Sequence, residues 1–202
     1  MKTKIKICGI KSFEDVAIIN KELPDYCGFI IDFPKSHRSI TKEVARELSK
    51  KVNPSIEKVG VFVNSPIEDV VALLKEGVID MAQLHGDEDE AYIRRVQRES
   101  DRPVMKAIII RDEFDIFRAK ESPADLVLLD AGKGSGESFN WDLIFDMNRK
   151  YVLAGGLDET NIKKAIEQLH PYALDLSSSL ETNGNKDPQK VKNVMDILRS
   201  VS

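Results

Sequence analysis

Residues 151–180 read YVLAGGLDETNIKKAIEQLHPYALDLSSSL, and the two periods in this stretch decide the fold. Tyr151–Ala154 is a short apolar run of strand length, closed by Gly155 and Gly156. Ile162, Ala165, Ile166 and Leu169 then recur at helical spacing, and residues 172–176 form a second strand-length run, closed by Ser177, Ser178 and Ser179. A strand, a helix and another strand joined by short turns make one βαβ unit, and a βαβ unit implies parallel strands.

The same alternation fills the rest of the chain. Further strands are expected at 4–8, 26–31, 58–63, 79–84, 104–110 and 125–130. After the first, Ser12 caps a helix with Phe13, Val16, Ala17 and Asn20 along one face. A second helix from about residue 42 aligns Val44, Leu48 and Val52, and Ser65-Pro66 opens a third with Ile67, Val70, Val71 and Leu74 inward. Tyr92, Ile93 and Val96 mark a fourth, 114–119 a weaker fifth, and 141–147 a short sixth after a glycine-rich loop. The last carries Val191, Val194, Met195 and Leu198. Eight strand–helix pairs without a linker predict one α/β domain over 1–202, a closed (β/α)8 barrel with short loops. An open doubly wound sheet is the alternative, but it would place a glycine-rich dinucleotide turn after the first strand, and Cys8-Gly9-Ile10-Lys11 is not one.

Composition narrows the function. With 42% hydrophobic residues, 32% charged residues and a net charge of −4, the chain reads as an ordinary globular protein with no field to attract nucleic acid or anionic lipid. No apolar run approaches bilayer length, and the opening residues are too charged for a secretory signal, so no membrane partner is expected. Cys8 and Cys27 lack metal-ligand spacing, which favours a reducing, cytoplasmic location.

Barrel active sites lie at the C-terminal ends of the strands. Loops seven and eight of such barrels often hold a phosphate, and here they carry Gly155, Gly156, Ser177 and Ser178; the alternative is a plain strand end and a helix cap. The Asn183-Gly184-Asn185 turn leaves room for an extra helical turn before the last helix. Alternation turns Ile5 and Ile7 outward and Lys4, Lys6 and Cys8 inward, so Cys8 faces the mouth with Lys6 below it, where an ammonium would favour the thiolate. The competing reading of Cys8 is a small core residue, the role expected of Cys27. Asp130 caps the apolar positions Leu126 and Leu128 at the same rim and suits an acid or a base. His85 ends strand four; the acids Asp87, Glu88, Asp89 and Glu90 after it are read as complementing a helix dipole, and no metal site is expected.

Taken in order, these strand ends resemble the phosphoribosylanthranilate isomerase family of tryptophan biosynthesis over nearly the whole chain. The matching segments are Lys6-Ile7-Cys8-Gly9-Ile10, Gly28-Phe29 leading to Pro34-Lys35-Ser36-His37-Arg38, Val59-Gly60-Val61-Phe62 and Gln83-Leu84-His85-Gly86. They continue through Leu128-Leu129-Asp130, Gly134-Ser135-Gly136 running to Phe139-Asn140-Trp141, Ala154-Gly155-Gly156-Leu157 and Asp175-Leu176-Ser177-Ser178. The resemblance implies an Amadori rearrangement of a small phosphorylated substrate, with no metal or other cofactor. It implies Asp130 as general acid, Cys8 as general base and Arg38 as the group that holds the anthranilate carboxylate. Asp175 is implied near the reacting amine, with Gln83 and His85 also in the site. Three departures stand out: Ser179 where the family usually has glycine, Glu137 where lysine is common, and His37 where proline or lysine is usual. A serine held at positive φ would be strained. Another phosphosugar isomerase or epimerase on the same barrel, and a non-catalytic phosphate-binding barrel, are the competing functions. A monomer and a homodimer are both open.

Overall fold

In the computed structural model, which describes residues 2–130, 141–144 and 147–201, eight parallel strands close into a barrel. They are β1 (Lys4–Cys8), β2 (Tyr26–Ile31), β3 (Glu57–Phe62), β4 (Met81–Leu84), β5 (Val104–Ile109), β6 (Leu126–Asp130), β7 (Tyr151–Ala154) and β8 (Ala173–Leu176). Each pairs with its neighbours in chain order, and β8 pairs back onto β1. Followed round the circuit, the registers displace the return to β1 by eight residues, the shear that tilts the strands of this barrel type by roughly 36°.

Among the described residues seven α-helices surround the strands: α1 (Phe13–Glu22), α2 (Lys42–Ser49), α3 (Ile67–Lys75), α4 (Glu90–Ser100), α5 (Glu113–Glu121), α6 (Ile162–Leu169) and α7 (Pro188–Ser200). Among the described residues β6 is followed by a single 3-10 turn, Trp141–Ile144, where the sequence suggests a longer helix to 147. Both faces of each strand are buried, and they divide the core in two. Outward residues such as Ile5, Ile7, Phe29, Val127, Leu129 and Leu174 pack under the helices. Inward residues, including Val59, Met81, Met105, Leu128 and Val152, fill the barrel.

Two helix faces differ from the sequence reading. On α1 the buried stripe is Asp15, Val16, Ile19 and Glu22, while Phe13 and Ala17 are exposed. Asp15 explains this: its carboxylate turns inward to accept the backbone N–H of Lys11 at 2.9 Å and of Lys186 at 3.3 Å. Two residues make about 200° of helix, so anchoring Asp15 inward sends Phe13 to solvent. On α2, Leu48 shares its stripe with Ala45, and Val44 faces outward.

The first and fifth strand–helix units are built alike, one hundred positions apart. Ser12 and Asp112 cap α1 and α5, and Asp15 and Asp115 accept the N–H of Lys11 and Arg111. At the opposite end of the barrel, Asp25 and Asp125 accept the first free N–H of the preceding strand, from Ile5 and Val104, and Asp80 does the same for Lys58. The halves differ at the rim. Cys8 stands opposite Gly28, as Ala107 stands opposite Leu128, but β1 stops at Cys8 while β5 runs on to Ile109. Gly9, at φ 83°, turns the chain away, and both its N–H and that of Ile10 donate to the Gly28 carbonyl.

The aspartates at the strand starts give a first test. Asp125→Ala would orphan the Val104 N–H and remove the 2.9 Å bond from the Gln97 amide, which keeps its bond to the Pro123 carbonyl. It is expected to cost about 1–3 kcal/mol and to lower the melting temperature by roughly 2–12 °C, read by circular dichroism.

Candidate active site

The rim residues singled out in the sequence come together. Cys8, Arg38, Gln83, His85, Asp130, Asp175, Gly155, Gly156, Ser177 and Ser178 all line one cavity of about 500 Å³ at the C-terminal mouth of the barrel. That volume suits a small metabolite.

The floor is an ion pair. Lys6, inward on β1, donates to both oxygens of Asp175, inward on β8, at 3.0 Å each. The two stand level because the register sets Lys6 against Asp175, and the Lys6 side chain is only 1% exposed. Burial works against the Lys6 charge, and Asp175 overcomes it, raising the ammonium above its ordinary range. Burial also pushes Asp175 up, against the pull of Lys6; the two-oxygen contact identifies an ion pair. Gly28 gives it headroom: a Cβ there would lie 2.8 Å from Cys8 Sγ and 3.1 Å from Lys6 Nζ.

Lys6 does favour the thiolate of Cys8, as expected, but a larger influence opposes it. Lys6 sits beside Cys8, but its charge is already shared with Asp175. Burial is the dominant influence on Cys8 and pushes the thiol above its ordinary value; Lys6 and Lys186 pull it down, while Asp175 pushes it further up. Cys27 is fully buried among the outward core residues, and burial pushes it up to about 12.

Asp130 faces His85, whose Nε2 stands 3.5 Å from Oδ2. The Gln83 amide nitrogen is 3.1 Å from His85 Nδ1, so Nδ1 accepts and Nε2 carries the proton toward Asp130. Gln83 Oε1 is buried without a hydrogen-bond partner among the described residues. The loop that carries His85 is fastened from below. Lys106 donates to the carbonyls of Leu84 and Gly86 and to Glu88 Oε2, the last at 2.9 Å, and Glu88 accepts the N–H groups of Asn64 and Gly86. Glu88 is therefore half of a buried ion pair rather than a helix-dipole residue, and Asp89 alone of the four acids caps α4.

On the opposite rim Gly155 and Gly156 take φ of 86° and 64°. Ser178–Leu180 forms the extra 3-10 turn that the sequence left room for, and the Ser177 hydroxyl donates to the Cys8 carbonyl at 3.0 Å. Ser179 lies within that turn and is not among the residues at positive φ, so the strain expected of serine there does not arise; its hydroxyl is buried without a hydrogen-bond partner among the described residues. Gly134, Ser135, Gly136, Glu137, Phe139 and Asn140 lie outside the described residues.

Arg38 reaches the cavity across the end of β1, where a Cβ on Gly9 would meet its Cδ at 2.5 Å. Its guanidinium is not idle: Nε and Nη2 donate to Glu181 at 2.7 and 2.8 Å. Lys186 donates to the same carboxylate at 2.8 Å, and His37 lies 3.6 Å away. Glu181 and Lys186 are absent from the sequence reading, yet a signal exists. Asn183-Gly184 is a two-residue hairpin turn, which sets Glu181 opposite Lys186, as found.

Comparison with known proteins agrees with this geometry. Residues 5–197 match the family described as N-(5'phosphoribosyl)anthranilate (PRA) isomerase. The N-(5'-phosphoribosyl)anthranilate isomerase of Endomicrobium trichonymphae is 42% identical over 203 residues, covering 98% of this chain and 99% of the relative. The crystal structure of phosphoribosyl anthranilate isomerase from Thermotoga maritima is 34% identical, with a TM-score of 0.88 over 98% of this chain and 99% of that one. A further isomerase structure, solved in complex with reduced 1-(o-carboxyphenylamino)-1-deoxyribulose 5-phosphate, is 33% identical with a TM-score of 0.87 over the same shares.

The resting state of the thiol can be measured. Because burial raises Cys8 above its ordinary 9.0, a smaller thiolate fraction is present at neutral pH than in free cysteine. Alkylation of Cys8 by iodoacetamide, followed by mass spectrometry, should keep accelerating beyond pH 9.0 while Cys27 stays unlabelled. A rate that levels off below pH 8 would mean that Lys6 outweighs burial.

Proposed function

This chain belongs to the N-(5'-phosphoribosyl)anthranilate isomerase family, and from that premise we propose how its rim performs the reaction. The reaction is the Amadori rearrangement of N-(5-phosphoribosyl)anthranilate to 1-(2-carboxyphenylamino)-1-deoxyribulose 5-phosphate, a step of tryptophan biosynthesis. One observation carries the assignment of roles: a thiol on β1 and a carboxyl on β6 open into a single cavity, with paired glycines and a serine-rich turn on its wall.

The substrate brings two anions, and the wall offers a place for each. Gly155, Gly156, Ser177 and Ser178 surround the phosphate, where glycine allows close backbone approach and the short turn supplies N–H donors. Arg38 holds the anthranilate carboxylate with the edge of its guanidinium that Glu181 does not occupy. Binding at both ends places the ribose over Cys8 and Asp130.

Asp130 gives a proton to the ribose ring oxygen; the bond from that oxygen to C1 breaks, and the nitrogen lone pair closes an iminium. Cys8, its thiol proton lost to solvent, then as thiolate takes the proton from C2; the C–H electron pair forms the C1–C2 double bond of an enolamine, and the iminium π pair returns to nitrogen. Addition of a proton at C1 and loss of one from the C2 hydroxyl give the ketone, so C1 is reduced, C2 is oxidised, and no external electrons are needed. Asp175 pairs with the cationic nitrogen. As it does so its hold on Lys6 weakens, and the Lys6 ammonium is released to stabilise the thiolate beside it. His85, oriented by Gln83, supports Asp130. Among the described residues no helix is long and apolar enough to cross a membrane, and the cytoplasm is the location proposed.

Cys8→Ser and Asp130→Asn should each lower kcat by at least about 10²-fold while far-UV circular dichroism and melting stay near wild type. The assay is the loss of phosphoribosylanthranilate fluorescence without added metal. Near-normal kcat in either variant removes that residue from its role.

A further inference from the structure

We propose that Glu181 is the positioning residue for carboxylate recognition: it clamps Arg38 in the orientation in which the outer edge of the guanidinium faces the cavity. The inference rests on the role given to Arg38 above and extends it to a residue that contacts no substrate.

The geometry is that of a built support. Glu181 follows the 3-10 turn Ser178–Leu180, and its side chain is only 8% exposed. Both of its oxygens are taken by Arg38, Oε1 by Nε and Oε2 by Nη2, a two-bond contact that fixes the plane of the guanidinium as well as its place. Lys186 supports the carboxylate from beneath at 2.8 Å, and Lys186 is itself held by the Ser177 carbonyl at 3.0 Å. The short antiparallel pair Glu181–Thr182 and Asn185–Lys186 keeps the two in register, and Lys11 ties its turn down by donating to the Gly184 carbonyl. Arg38 lies on a loop between β2 and α2 and has a long, flexible stem. Without the clamp, ordering it would fall to the substrate as an entropic cost. Two cations against one carboxylate also leave the neighbourhood net positive, so the clamp orients Arg38 without cancelling its attraction for an anion.

The charge state agrees. Burial opposes ionisation of Glu181, but the bonds from Arg38 and Lys186 prevail and hold the carboxyl at about 2. The clamp is therefore closed throughout the physiological range.

The test is steady-state kinetics on the full chain, with inorganic phosphate as a competitive probe of the phosphate loops. In the near-isosteric Glu181→Gln, KM for phosphoribosylanthranilate should rise about 10-fold with kcat within about threefold, and the phosphate inhibition constant should stay within about twofold. Glu181→Asp keeps the charge but shortens the reach, and should show the same split; melting curves check that both variants fold. In the cycle, Glu181→Gln added to Arg38→Ala should cost nothing beyond Arg38→Ala alone. Additive losses, an unchanged KM, or a phosphate constant that weakens in step with KM would overturn the proposal, the last by placing the role of Glu181 in the phosphate loop. Absence of turnover in the wild type would instead sink the functional reading, which separates the two failures.

Discussion

The site is organised around one ion pair sealed inside the barrel. Removing an ammonium and a carboxylate from water costs several kcal/mol per ion, and only close mutual contact returns it. Lys6 and Asp175 meet that condition through the register of β1 against β8. The pair constrains everything above it. It requires Gly28 on the neighbouring strand, because any Cβ there would press on the Lys6 nitrogen and the Cys8 sulfur. It also sets opposing influences on Cys8, with Lys6 pulling the thiol down and Asp175 pushing it up, on top of the larger upward push of burial.

A similar logic extends round the rim. Three cations near the mouth, Lys6, Arg38 and Lys106, each have a carboxylate partner within 3.0 Å. The chain carries a net charge of −4 and yet handles a doubly anionic substrate. Under the roles proposed above, anion recognition would depend on where cations are pointed more than on how many there are. Lys106 and Glu88 show the same economy one step further away: a buried pair outside the cavity lining holds the loop on which His85 sits.

Much of this was legible in the sequence. Strand positions follow from apolar runs, and inward or outward facing from alternation, so Cys8 and Asp130 could be placed on one rim before any coordinates. The site residues could be gathered because strand ends in a barrel converge. Two kinds of information were missing. Apolar periodicity misplaces the rotation of α1 because a polar residue, Asp15, sets it, and a buried aspartate leaves no apolar signal. Alternation says which face a residue takes but not its height, so it does not reveal pairings between strands far apart in sequence. The contact between Lys6 and Asp175 depends on height, and so does the true electrostatic state of Cys8. The bond between Glu181 and Arg38 spans two loops and has no sequence period, although the Asn183-Gly184 turn encodes the half of it that involves Lys186.

The early end of β1 has a consequence for access. Where β5 continues to Ile109, level with Asp130, β1 has already turned away at Gly9, so the wall above Cys8 is lower than its counterpart across the barrel. That notch is filled from the side by the stem of Arg38, which is possible only because residue 9 has no side chain. The wall beside the sulfur is thus supplied by a side chain from a different loop, held in place by Glu181, and no longer by the strand that carries the sulfur.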